Sequence, residues 1–211
     1  MPAPAIHRPP YWDQAVAELA AADPVMAELV ERYPAVSLLT RGDAFHTLAR
    51  SIVGQQISVK AADSIWARLL QALGDVTAPA VLASSVEALR ACGLTQRKTE
   101  YLLDLAHHQQ AGRLEPSDWH SWDDEAVIKE LVSIRGIGRW TAEMFLIFYL
   151  ARPNVLPLDD IGLIRAIAQF YHGDERRPRA ELITLAERWQ PWRSVATWYL
   201  WRSLDPVPVE Y

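Results

Sequence analysis

Apolar side chains recur at steps of three and four residues along nearly the whole chain, with polar positions filling the gaps. Trp12, Val16 and Leu19 share such a face between Tyr11 and Ala22, which predicts a helix there. A second helix, from about Pro24 to Tyr33, has proline in its first turn and Pro34 as its stop. Phe45, Leu48 and Ile52 line one side of residues 44–53, and Gly54 is expected to break that helix. Ser58 is placed to cap a helix carrying Ala62, Ile65, Trp66, Leu69 and Leu73. Pro79 opens a short helix, residues 85–92 form another closed by Gly93, and Thr95 caps one carrying Tyr101, Leu102 and Leu105. A loop with Pro116 and two tryptophans follows from Leu114 to Trp122, and Asp123 caps the next helix. Two further helices, Arg179 to Trp189 and Trp192 to Ser203, are separated by Pro191. No stretch alternates with the period of a strand, so the predicted class is all-α.

The pattern is densest between Leu131 and Arg165. An apolar helix ends at Gly136-Ile137-Gly138, and a second helix starts at once with Trp140, Met144, Ile147 and Phe148 spaced to share a face. A loop held by Pro153 and Pro157 then delivers Asp159 and Asp160 to the mouth of a third helix. Two glycines one residue apart let the backbone turn sharply and approach another molecule closely. The free N–H groups at the start of the second helix favour an anion, and phosphate is the obvious one. By spacing alone, Asp159 and Asp160 divide evenly as reactive carboxylate or helix cap. Gly54-Gln55-Gln56-Ile57-Ser58, taken alone, is a short polar connector between apolar helices, and Gln96-Arg97-Lys98 a solvated charged turn.

Composition narrows the partners. The net charge of −5 argues against a broad basic nucleic-acid surface, leaving room for a narrow site built from helix N-termini and a few Arg and Lys. Nine tryptophans are many for 211 residues; some are expected in the core, and an excess of large rings also suits a pocket that stacks on flat ligands. The single cysteine, Cys92, excludes a disulfide framework and a four-cysteine iron–sulfur cluster. His107 and His108 are adjacent and lack the i, i+4 spacing of paired metal ligands. The opening MPAPAIHRPP has no apolar h-region and no run is long enough for a bilayer, so a soluble, cytoplasmic protein is expected.

The order of Gly136-Ile137-Gly138, the Pro157 loop and Asp160 resembles the helix-hairpin-helix and following Asp of a DNA glycosylase superfamily. The segment Glu187-Arg188-Trp189-Gln190-Pro191-Trp192-Arg193-Ser194 resembles the alkylation-repair branch, of the 3-methyladenine DNA glycosylase II type. The likeness runs from about Ala44 to Ser203. One departure is Arg135, where the family often has proline before the first glycine. The N-terminal β-containing domain of larger members is expected to be missing.

The resemblance implies two helical lobes with the active-site cleft between them. Residues 1–43 and 153–211 would form one lobe. Residues 44–152 would form the other, carrying the intercalating loop and the helix-hairpin-helix at 131–150. It implies Asp160 as the catalytic carboxylate, with Trp140, Met144 and Trp201 lining the base pocket. Met144 stands where the branch often has tyrosine. Gln55, Gln56 and Ile57 would form the loop that enters the duplex, with Gln56 as the wedge. Gly136, Gly138, Arg139, Thr141, Arg97 and Lys98 would lie along the DNA backbone. The main-chain carbonyls of Val132, Ile134 and Ile137 would hold a monovalent cation, Na+ or K+, and no other cofactor is expected.

Trp140 occupies the position where the bifunctional branch has its Schiff-base lysine. The expectation is therefore a monofunctional enzyme of base excision repair. It would act as a monomer on double-stranded DNA containing alkylated bases, with no membrane partner. Its substrates would be 3-methyladenine and 7-methylguanine, with 1-methyladenine and 3-methylcytosine as an extension of that range. The alternatives are a bifunctional or oxidised-base glycosylase and a non-catalytic helix-hairpin-helix DNA-binding module.

Overall fold

The computed structural model of the chain describes residues 7–34, 37–40, 43–114 and 119–204, with the backbone alone at Val59. Pro116 and the first six residues of the N-terminal tail lie outside them. Among the described residues there are twelve α-helices and no strand. They are α1 Trp12–Ala22, α2 Pro24–Arg32, α3 Ala44–Gly54, α4 Val59–Leu73, α5 Ala78–Ala83 and α6 Val86–Ala91. Then come α7 Gln96–Gln110, α8 Asp124–Val132, α9 Arg139–Phe148, α10 Ile161–Tyr171, α11 Arg179–Ala186 and α12 Arg193–Leu204. A 3₁₀ turn, Glu187–Trp189, follows α11.

Local chemistry accounts for most helix starts. Ser58 Oγ accepts from the Ala61 N–H, Thr95 Oγ1 from Lys98 and Asp123 Oδ1 from Ala126, so each satisfies a donor that the helix leaves open. Two expected boundaries move. Gly54 ends α3 as its last residue instead of breaking it, and the expected 179–189 helix tightens into the 3₁₀ turn after Ala186.

The described residues divide into two compact units. The first takes 43–114 and 119–145. In it α3, α5 and α6 pack on α7, and α3 also packs on α4. Its centre is aliphatic: Leu48, Ile52, Leu69, Val81, Leu89, Leu102 and Leu105 are fully buried. Each contributes roughly 1.5–3 kcal/mol of transfer free energy.

The second unit takes 7–34, 37–40 and 146–204, and here α12 packs on α1, α2 and α10. Its centre is aromatic. Trp12 meets Trp198 edge-on at 5.2 Å and Tyr199 at 6.0 Å. The buried Asp23 carboxylate accepts from Tyr171 Oη at 2.8 Å, Trp189 Nε1 at 3.0 Å and the Val25 N–H at 2.9 Å, which offsets its desolvation. Trp12, Trp66, Trp119, Trp189 and Trp198 are all buried, so most of the tryptophan excess goes into cores.

The division falls after Phe145, inside α9, where 152/153 was expected. Phe148 stacks on Trp201, which accounts for the end of α9 going with the second unit. No described helix is long and apolar enough to cross a membrane.

Candidate functional site

In the first unit the two hairpin glycines divide their work. Gly136 has φ +85°, and a Cβ there would sit 2.2 Å from the Tyr101 ring. Only glycine can therefore make that turn against α7. Gly138 has nothing within 4 Å of a Cβ position, so its surface is open for close approach. The hairpin is also tied to α7 by charge. Asp104 Oδ2 accepts from the Arg135 N–H at 2.8 Å, and the Arg135 guanidinium pairs with Glu100 at 3.2 Å.

Arg139, the first residue of α9, is bound to Glu125 and, at 3.1 Å, to Glu143. Its hydrogen bond to Glu125 holds the guanidinium above its ordinary pKa, which removes it as a nucleophile. Thr141, the third residue of α9, is buried at 4% exposure, so its hydroxyl is not presented outward. Met144 is 1% exposed and offers no open wall, whereas Trp140 is half-buried.

The 54–58 loop belongs to the same unit. Gln55 Nε2 donates to the Gly136 carbonyl at 2.8 Å, which links the loop to the hairpin. Gln56 is exposed and has φ +58°, a left-handed conformation that non-glycine residues rarely adopt. Ile57 beside it is 38% exposed. Arg97 projects outward, but Lys98 does not. Its Nζ donates to the carbonyls of Val53 and Gln55, each at 2.7 Å, and burial lowers its pKa. The expectation that Lys98 lies along a phosphate backbone is corrected: its ammonium faces inward to loop carbonyls.

In the second unit Asp160 stands as the N-cap of α10. Its Oδ1 accepts from the Leu163 N–H at 2.6 Å and from the Trp201 indole at 2.7 Å. Two donors from two helices fix the orientation of one carboxylate. A Cβ on Gly162 would lie 3.0 Å from that oxygen and 3.4 Å from Trp201, so glycine here keeps the pair in contact. Phe148 stacks on the Trp201 ring at 5.9 Å with a 10° interplanar angle.

The loop before Asp160 is pinned by Ser194. Its Oγ donates to the Arg152 carbonyl at 2.6 Å and accepts from the Val155 N–H at 3.0 Å. Ser194 and Trp201 are seven residues apart on α12, two helical turns, so one helix face holds both loop and carboxylate. Asp159 is not the cap. It is half-exposed and pairs with Arg179 at 2.8 Å.

Sequence reasoning missed the parts played by Gly162, Phe148, Ser194 and Lys98. Only Gly162 carried a local signal, as a glycine one residue into a helix. Among the described residues no three His, Cys, Asp or Glu side chains gather as a metal site, so a hairpin cation would depend on main-chain oxygens.

The sequence profile of the HhH-GPD superfamily of base excision DNA repair proteins matches residues 49–192. The chain belongs to this superfamily. The match takes in the 54–58 loop, the hairpin and Asp160, while Trp201 lies beyond it. A DNA-3-methyladenine glycosidase of Bacillus halodurans has the same fold, with a TM-score of 0.81 and 34% identity over 94% of this chain and 92% of that one. The 3-methyladenine DNA glycosylase of Schizosaccharomyces pombe, solved in complex with abasic DNA, gives a TM-score of 0.78 and 28% identity over 90% and 96%. The DNA-3-methyladenine glycosylase of Bacillus subtilis is 29% identical over 199 residues, and the match covers 89% of this chain and 66% of that protein. The chain thus spans about two thirds of the length of that relative.

Proposed function

We propose that this HhH-GPD chain is a monofunctional DNA glycosylase that hydrolyses the N-glycosidic bond of alkylated bases in double-stranded DNA. The observation that carries the reading is the Asp160 carboxylate, held at Oδ1 by the Leu163 N–H and the Trp201 indole. Breaking the bond builds positive charge on the sugar as the base departs. A preorganised carboxylate stabilises that state and orients the water that adds at C1′. The hairpin gives the complementary contact, since the N–H groups at the start of α9 and the open backbone at Gly138 suit a phosphate.

The absence of lyase chemistry in this reading follows from Trp140 at the Schiff-base position and from the ion-paired Arg139 beside it. In this reading Trp140 and Trp201 would each present a π-face to a cationic ring such as 3-methyladenine or 7-methylguanine, with 1-methyladenine and 3-methylcytosine at the outer edge of the range. These bases carry weakened glycosidic bonds, so little protonation of the leaving group is required. The S. pombe relative in complex with abasic DNA supports DNA as the partner. In this reading the protein acts as a monomer inside the cell.

In this reading a monovalent cation, Na+ or K+, would be held at the hairpin by main-chain oxygens. Val132 is the last residue of α8, so its carbonyl belongs to the electronegative helix end. The Ile134 carbonyl takes the Ile137 N–H at 3.1 Å and keeps a second lone pair. With the Ile137 carbonyl these would hold the ion, which would supply positive charge beside a phosphate.

The test is base release from duplexes containing single defined lesions, with borohydride trapping alongside. Release of 3-methyladenine and 7-methylguanine, little release of 8-oxoguanine and no trapped adduct are expected. Preference for 8-oxoguanine, or a strong adduct through a lysine, overturns the reading.

A further inference from the structure

We propose that Lys98 is the positioning residue that holds the 54–58 loop in its wedge conformation. The two carbonyls it binds, Val53 and Gln55, lie on either side of Gly54, where α3 ends and the loop begins. Backbone hydrogen bonding in the loop is weak: Gln55 N to Ile52 O and Ile57 N to Gly54 O are both 3.4 Å. Beyond the Ser58 cap, the strong contacts are the two 2.7 Å bonds from Lys98 and the 2.8 Å bond from Gln55 Nε2 to the Gly136 carbonyl.

Between these anchors Gln56 stands in a left-handed conformation with its side chain exposed. A non-glycine residue in that region is strained and persists only where its surroundings enforce it. Lys98 is 9% exposed, so an ammonium has been taken from water and its charge spent on two carbonyl oxygens at the root of the loop. It sits in the first turn of α7, where the helix dipole disfavours a cation. Neither helix stability nor solvation accounts for a lysine in that place, whereas the loop it grips does.

The duplex half of the proposal rests on the glycosylase reading. Extruding a base costs stacking and pairing, less at a mismatched site, so a misplaced wedge harms paired substrates most. The experiment compares wild type, Lys98→Met, Lys98→Arg, Gln56→Ala and the Lys98→Met/Gln56→Ala double variant. Excision is read on a paired and on a mismatched lesion duplex, and amide hydrogen exchange is read at residues 54–58.

Lys98→Met should lower excision on the paired duplex about tenfold more than on the mismatched one, matching loss of a charged hydrogen bond. It should also speed exchange at Gln56 and Ile57. Lys98→Arg should restore part of both readings, and the double variant should be no worse than Gln56→Ala alone. Equal losses on both duplexes, additive losses in the double variant or unchanged exchange each overturn the proposal. If Lys98→Met does not fold, Lys98→Gln decides by the same two readings. A wild-type protein inactive on both duplexes sinks the glycosylase reading instead. Exchange in Lys98→Met then decides the anchoring alone, faster exchange supporting it and unchanged exchange overturning it.

Discussion

The hairpin in the first unit and the Asp160 cradle in the second use similar parts to opposite ends. Each sets a glycine beside the start of a helix, and each is braced by a neighbouring helix. At the hairpin the nearby cations are already paired, Arg135 with Glu100 and Arg139 with Glu125 and Glu143. What the hairpin offers outward is backbone. At the cradle one carboxylate is gripped by a backbone N–H and an indole, and what it offers is charge of fixed direction. In the proposed function a chain of net charge −5 would meet a polyanion through the first device and stabilise a cationic sugar through the second. Changes at the hairpin should therefore act on folding and binding, and changes at the cradle on rate.

Asp160→Asn should separate the two most sharply. Asparagine caps helices about as well as aspartate, so stability should hold. The charge that matters in the transition state is lost, and single-turnover base release should fall about 10²–10³-fold. Affinity for a duplex carrying an abasic-site analogue should persist. A large fall in melting temperature, or near-normal turnover, would contradict the assignment of charge to the cradle.

Next in size is the glycine pair. Gly136→Ala meets the Tyr101 ring and a φ of +85°, and should destabilise the fold by about 1–3 kcal/mol in urea titrations. Gly138→Ala has open space, so it should cost less stability and weaken DNA binding more. If the two variants behave alike in both measurements, the division of labour within the hairpin is wrong.

Trp201→Phe probes the cradle from the other side. It deletes the N–H donated to Asp160 and keeps a ring against Phe148. Removing a hydrogen bond to a charged group should slow base release by about tenfold for charged and neutral bases alike. Trp201→Ala removes the stacking face too, and should fall further on 7-methylguanine than on hypoxanthine. A Phe variant with wild-type rate would reduce Trp201 to a stacking surface.

The helical skeleton was legible because period and caps are local: Ser58, Thr95 and Asp123 all cap where their positions suggest. The hairpin and its following Asp were legible because their order is specific. The braces were not. Lys98 finds carbonyls more than forty residues away, Ser194 pins a loop about forty residues earlier, and Trp201 reaches Asp160 across a similar gap. Such contacts are set by tertiary packing and leave no local spacing to read. Lys98 also looked exposed because charged residues at a helix start usually are. The tryptophan count misled for a related reason, since a core and a pocket draw on the same residue type.

The smallest effect belongs to Asp159, and it tests whether two adjacent carboxylates truly differ. By spacing alone they were equals. The structure gives Asp160 the cap and the indole, and gives Asp159 an ion pair with Arg179. Both partners of that pair are about half-exposed, so solvent screens it and its worth is about 0–1 kcal/mol. Asp159→Asn should therefore shift the urea midpoint barely, leave base release near wild type and lose its small effect at high salt. Arg179→Gln should reproduce it, and the double variant should add nothing. A rate loss in Asp159→Asn approaching that of Asp160→Asn would mean the two carboxylates act together, and the cradle would have to be redrawn around both.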